Sequence, residues 1–145
     1  MSIRRFALIG GVVMFVMGIL ALVPDLSRTA AYLPDLQVTN SYGLFLGLFP
    51  MNIFNKVALI AFGCAGVICA RTESPLAAVR YARTVALVMG VLAIFGFIPG
   101  LNTLYGYWPL FGGEILAHGA FAICGAYFGY AVPARLERRT TAASL

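Results

Sequence analysis

Residues 6–23, 53–70, 84–99 and 114–132 form four apolar runs that are almost free of charge. No other feature constrains the fold as much. A helix the length of 6–23 rises about 27 Å, close to the ~30 Å hydrocarbon core of a bilayer. The chain is 61% hydrophobic and 10% charged, with mean hydropathy +0.92, more apolar surface than one soluble core of this size could bury. The expectation is an all-α, integral membrane four-helix bundle. The first run follows Arg4 and Arg5 and stops at Pro24. No small-x-small cleavage site follows it, so it reads as an uncleaved span.

Two short boxes divide the chain. Gly47-Leu48-Phe49-Pro50 precedes the second run, and Gly106-Tyr107-Trp108-Pro109 precedes the fourth. Met17-Gly18-Ile19-Leu20-Ala21 ahead of Pro24 is echoed by Met89-Gly90-Val91-Leu92-Ala93 ahead of Pro99. Each half then reads as helix, outer loop, box, helix. Two spans per half keep both halves in one orientation, so the repeat is parallel, about an axis near the membrane normal. The single four-span membrane domain is placed at 1–133, with repeat halves at about 6–70 and 84–132, and a polar cytoplasmic tail at 134–145. Residues 24–40 read as an extramembrane loop and 42–50 as an interfacial or re-entrant segment. A basic connection carrying Arg71, Arg80 and Arg83 joins the halves, and Pro133 is expected to stop the fourth span.

Basic residues set the orientation. Arg4, Arg5, Arg71, Arg80, Arg83, Arg135, Arg138 and Arg139 fall on one side; Arg28 and Lys56 fall on the other. This bias places both termini in the cytoplasm of a bacterial inner (plasma) membrane and both boxes outside. The net charge of +5 is explained by topology, and no nucleic-acid partner is expected. Small residues one turn apart, such as Ala61/Ala65, Gly66/Ala70, Ala86/Gly90, Gly96/Gly100, Ala122/Ala126 and Gly125/Gly129, suit close helix packing in lipid.

The box followed by Met51-Asn52-Ile53-Phe54-Asn55 resembles a family of bacterial four-helix membrane proteins known only as a domain of unknown function. In that family a Gly-Leu-Phe-Pro-x-Asn run opens the second helix, and a Gly-x-x-Pro-Leu run opens the fourth. The resemblance covers nearly the whole chain and implies the fold and a membrane location. It also implies histidines at the positions held here by Asn55 and Leu59. His118 matches the histidine of the fourth helix, so a role built on a histidine set is weakened in this chain.

Chemistry is sparse. Cys64, Cys69 and Cys124 lie inside apolar runs and read as small packing residues. No nucleophile–base–acid set and no phosphate-cradling loop is present, so no enzymatic activity, cofactor or metal is expected. His118 is the only histidine; alone it could ligate a pigment or, with other ligands, a metal, or simply hydrogen-bond a neighbour. Glu114 lies one turn before it, and Lys56 occupies the matching first turn of the second helix. These residues, with Asn52 and Asn55, form the expected outer polar cluster, with Lys56 paired to Glu114. Three function classes stay open: a non-enzymatic membrane protein, such as an accessory subunit of a larger complex or a self-associating one; a small transporter or channel; and a pigment-binding or redox protein using His118.

Overall fold

The computed structural model describes residues 1–135. It contains four long helices: α1 (Ile3–Leu20), α2 (Ile53–Arg71), α3 (Pro75–Phe97) and α4 (Gly113–Ala126). α4 continues through a π-helical turn, Tyr127–Ala131, as far as Arg135. With that extension, all four are long and apolar enough to cross a membrane. The all-α expectation holds. A minor three-stranded antiparallel sheet adds β1 (Ser27–Arg28), β2 (Gly43–Phe45) and β3 (Phe49–Met51), in the order β1-β2-β3. It lies at the capped end of the helices, where residues 21–52 and 98–112 gather.

α1 packs along α2, and α3 along α4. The backbones meet where side chains are absent. A Cβ on Gly63 would lie 2.5 Å from the Phe15 nitrogen, and one on Gly125 would lie 2.7 Å from the Ala86 nitrogen. Between the pairs runs a core of Phe6, Met14, Tyr81, Val85, Met89 and Phe128. The rings of Phe6 and Phe128 stack at 4.9 Å and join α1 to the end of α4. The helix flanks are the reverse of a water-soluble surface: Val12, Ile68, Leu87, Ile94, Leu116 and Ile123 are all exposed.

The helix ends differ from the sequence reading in four places, three of them on α1 and α3. α1 begins earlier than expected, at Ile3, because the Ser2 hydroxyl accepts from Arg5 N and caps it. It ends earlier too, as residues 21–23 form a tighter turn ahead of Pro24. α3 begins at Pro75, so Arg80 and Arg83 sit on a helix and the connection shrinks to Thr72, Glu73 and Ser74. Ala78, Tyr81, Ala82, Val85 and Met89 follow helical spacing and are buried, while the two arginines are exposed on other faces.

Pro133 does not stop α4, although it has no N–H to give to the Gly129 carbonyl one turn earlier. The π-helical turn just before Pro133 widens the helix there, and Arg83 Nε donates to the Gly129 carbonyl at 2.9 Å. The Arg83 guanidinium also lies over the Tyr130 ring, 4.9 Å from its centre. The expected tail, including Arg138 and Arg139, lies outside the described residues except for Ala134 and Arg135.

The segment 42–50, read as interfacial or re-entrant, forms most of the β2–β3 hairpin. Leu46 and Gly47 both take left-handed backbone angles (φ 51° and 71°) and reverse the chain. Leu44 faces Pro50, which stands on an edge strand where its missing N–H costs no ladder bond. All three β2 residues are buried, so no polar–apolar alternation marks the strand in the sequence. The second box is a turn rather than a strand, yet shares two features with the first. Its Gly106 is also left-handed (φ 94°), and both prolines, Pro50 and Pro109, are fully buried.

Candidate functional site

Asn52 caps α2. Its side-chain Oδ1 accepts from Phe54 N at 3.0 Å, and Asn55 Oδ1 reaches back to accept from Asn52 N at 3.2 Å. This reciprocal arrangement satisfies two N–H groups that a helix start leaves open. It also fixes both amide NH2 groups as donors pointing outward. Asn52 Nδ2 donates to the carbonyls of Val38 (3.2 Å) and Tyr107 (2.8 Å). Asn55 Nδ2 donates to the Pro109 carbonyl (3.0 Å) and to Glu114 Oε2 (3.3 Å). The two amides of α2 thus hold the second box by its backbone. Both are buried, Asn52 completely.

Glu114 stands in the first turn of α4, and the His118 ring lies one turn on, with Nε2 3.6 Å from Glu114 Oε2. Glu114 is 4% exposed and His118 9%. Beside them is a cavity of about 60 Å³ between α2, α3 and α4. Leu59, Phe62, Met89 and Leu92 make its apolar wall; Asn55, Trp108, Glu114 and His118 make its polar one. Asn55 and Leu59, the positions where the resemblance places histidines, therefore face the same hollow as His118. The Trp108 ring is held by stacking on Phe54, with centres 6.1 Å apart. Trp108 Nε1, Glu114 Oε1 and His118 Nδ1 are buried without a hydrogen-bond partner among the described residues. In such surroundings an unpaired charge is costly.

Lys56 does not join this group, and the expected Lys56–Glu114 pair is absent. The Lys56 ammonium is fully buried and donates to the Ser41 carbonyl and hydroxyl, both at 2.7 Å, and to Ser27 Oγ at 3.4 Å. The reason is helical geometry: successive residues are about 100° apart around the axis, so Asn55 and Lys56 cannot face one partner. Asn55 turns to α4, and Lys56 turns to the segments around the sheet. Ser41 presents its carbonyl from a left-handed backbone (φ 56°). Nearby, burial and then the Asp35 carboxylate push the Tyr42 phenol above its ordinary range, and its hydroxyl donates to the Pro34 carbonyl at 3.1 Å. The sequence-predicted cluster is therefore two sites. One joins Asn52, Asn55, Glu114 and His118; the other is Lys56 with Ser27 and Ser41.

Sequence reasoning missed three members: Trp108, Ser27 and Ser41. Trp108 carried a signal, being the only tryptophan in the chain and part of a box already singled out. The serines carried none, because their role depends on how two loops fold over α2. Chemically, the α4 site can donate and accept hydrogen bonds and hold a proton. Among the described residues no three His, Cys, Asp or Glu side chains gather as a metal site would require.

Comparison with curated proteins and with solved structures yields no match. One family model, described as "Domain of unknown function (DUF4383)", matches residues 4–131, nearly the whole chain and all four helices, and the protein belongs to that family.

Proposed function

We propose that this protein is a non-enzymatic, four-span protein of the bacterial inner membrane that serves as an accessory subunit of a larger membrane complex. Both termini lie in the cytoplasm, and the capped end faces outward. The observation that carries the reading is the apolar flank on every helix, with Val12, Ile68, Leu87 and Leu116 exposed where lipid or another protein must cover them. The ten basic residues support the orientation, eight on the side of the termini and two on the capped side. A lateral apolar groove of about 270 Å³ between α1 and α4, bordered by Phe6, Ile9, Val13 and Phe121, supports the accessory role by giving a partner helix a seat. The two halves are read as parallel repeats about an axis along the membrane normal.

Reporter fusions after Ala70 and after Gly113 test the orientation. The Ala70 fusion is expected to report the cytoplasm and the Gly113 fusion the outside. A cytoplasmic signal from the Gly113 fusion would invert the assignment. Co-purification from native membranes without crosslinking tests the accessory role. A second reading, a small transporter or channel, has one observation in its favour: Glu114 and His118 are buried ionisable residues within a span-length helix.

A further inference from the structure

Three buried polar atoms lack a hydrogen-bond partner among the described residues, and all three belong to residues lining the same cavity: Trp108 Nε1, Glu114 Oε1 and His118 Nδ1. Buried polar groups are nearly always paired, so three orphans around one hollow point to a shared occupant. Their chemistry defines it. The indole N–H can only donate, so the occupant needs a lone pair, which alkali cations and ammonium do not have. With His118 Nε2–H turned toward Glu114 Oε2, His118 Nδ1 accepts, as does Glu114 Oε1. One donor and two acceptors are complementary to water, which can accept from the indole N–H through a lone pair and donate its two hydrogens. A cavity of about 60 Å³ exceeds the ~10–15 Å³ that one water needs.

We propose that this cavity is a hydrated proton-binding site, in which water held by Trp108, Glu114 and His118 carries a proton to and from the Glu114–His118 pair. In uptake, a hydronium in the cavity loses one O–H bond and becomes water. The proton forms a new O–H bond at Glu114 Oε1 or a new N–H bond at His118 Nδ1, and the pair gains one positive charge. Release is the reverse, and neither direction needs a redox partner. The unpartnered atoms Glu114 Oε1 and His118 Nδ1 are not those through which the two side chains approach each other, so taking up a proton does not require the pair to separate.

The surroundings leave few rivals for the proton. From α2, Asn55 donates to Glu114 Oε2, while Lys56 turns away to Ser41. α3 contributes Val88, Met89 and Leu92, and the loop contributes Trp108, none of which titrates in this range. Glu114 and His118 are the titratable groups on the cavity wall. This inference deepens the transporter reading and rests on Glu114 and His118 lying inside a span; it does not depend on the accessory role.

The test uses the full chain in lipid nanodiscs, labelled with 15N-tryptophan. Trp108 is the sole tryptophan, so one indole signal reports the site. Its indole proton is expected to show cross-relaxation with water. Its shift is expected to move in a single step between about pH 5 and about pH 9. Glu114→Gln should displace that step by at least about one pH unit or remove it, and so should His118→Asn. If either variant fails to fold, the other supplies the comparison, and the water signal is read on the wild type alone. An indole with no water contact, a shift flat across the range, or a step unchanged in a folded variant would overturn the proposal. An external Gly113 fusion together with a dry, pH-silent indole would remove the proton site and leave the four-span reading intact.

Discussion

Gly63→Ala will lower the melting temperature sharply, whereas Gly119→Ala, the same change on α4, will not. A methyl group on Gly63 would sit 2.5 Å from the Phe15 nitrogen and 2.7 Å from the Phe15 Cα. Both are backbone atoms of α1, so no rotamer change gives relief, and α1 must move off α2. Overpacking of this kind costs about 1–3 kcal/mol and at times more. Contact with two backbone atoms of Phe15 puts Gly63 at the upper end, a fall of about 5–10 °C. Around Gly119 nothing lies within 4 Å of an added Cβ. Alanine there gains helix propensity, about 0.5–1 kcal/mol, and the melting point should hold or rise. Thermal unfolding of both variants in one detergent, followed by circular dichroism, checks the contrast. Equal melting points would mean that α1 and α2 do not approach as closely as described.

The second large effect belongs to Asn52→Leu. Leucine fills the space but removes three hydrogen-bonding roles at once. Phe54 N loses its cap, and the Val38 and Tyr107 carbonyls lose their donor. Asn55 Oδ1 keeps its bond to the backbone N–H of residue 52. A lost cap costs about 1 kcal/mol, and each of the two part-buried hydrogen bonds to the carbonyls about 0.5–1.5 kcal/mol. The expected destabilisation is about 2–4 kcal/mol, enough to loosen the second box from α2. Limited proteolysis should then cut within 98–112 well before it does in the wild type. A variant as stable and as protease-resistant as the wild type would show that the Asn52 amide does not hold the box.

How far the sequence carried this picture varies along the chain. The helices were legible because length and hydropathy alone demand them. Gly66, Gly125 and Gly129 were legible as close contacts through their four-residue spacing. Gly11 and Gly63 were not, although they meet each other across α1 and α2, because a contact between two helices leaves no spacing within either one. The start of α3 was hidden by Arg80 and Arg83, whose charge masked the buried stripe of Ala78, Tyr81 and Val85 behind them. The hairpin was hidden because β2 is buried throughout and lacks alternation.

At the site, the residue types were legible and the partners were not. Membrane depth placed Lys56 level with Glu114. Rotation about the helix axis, which depth does not reveal, gave Glu114 to Asn55 and Lys56 to Ser41. Trp108 lines the cavity only because two amides of α2 hold its box in place, a tertiary fact with no local signature.

The central claim is that lipid covers the flanks of these helices while the capped end faces out. The chain carries its own probes: Cys64 and Cys124 are exposed on the helix flanks. Tyr105, 72% exposed at the capped end, offers a contrasting position. Right-side-out membrane vesicles would be treated with a membrane-impermeant maleimide. The wild-type protein is predicted to stay unlabelled, and Tyr105→Cys to be labelled at once. Rapid labelling of Cys64 and Cys124 in intact vesicles, or a silent Tyr105→Cys, would contradict the account.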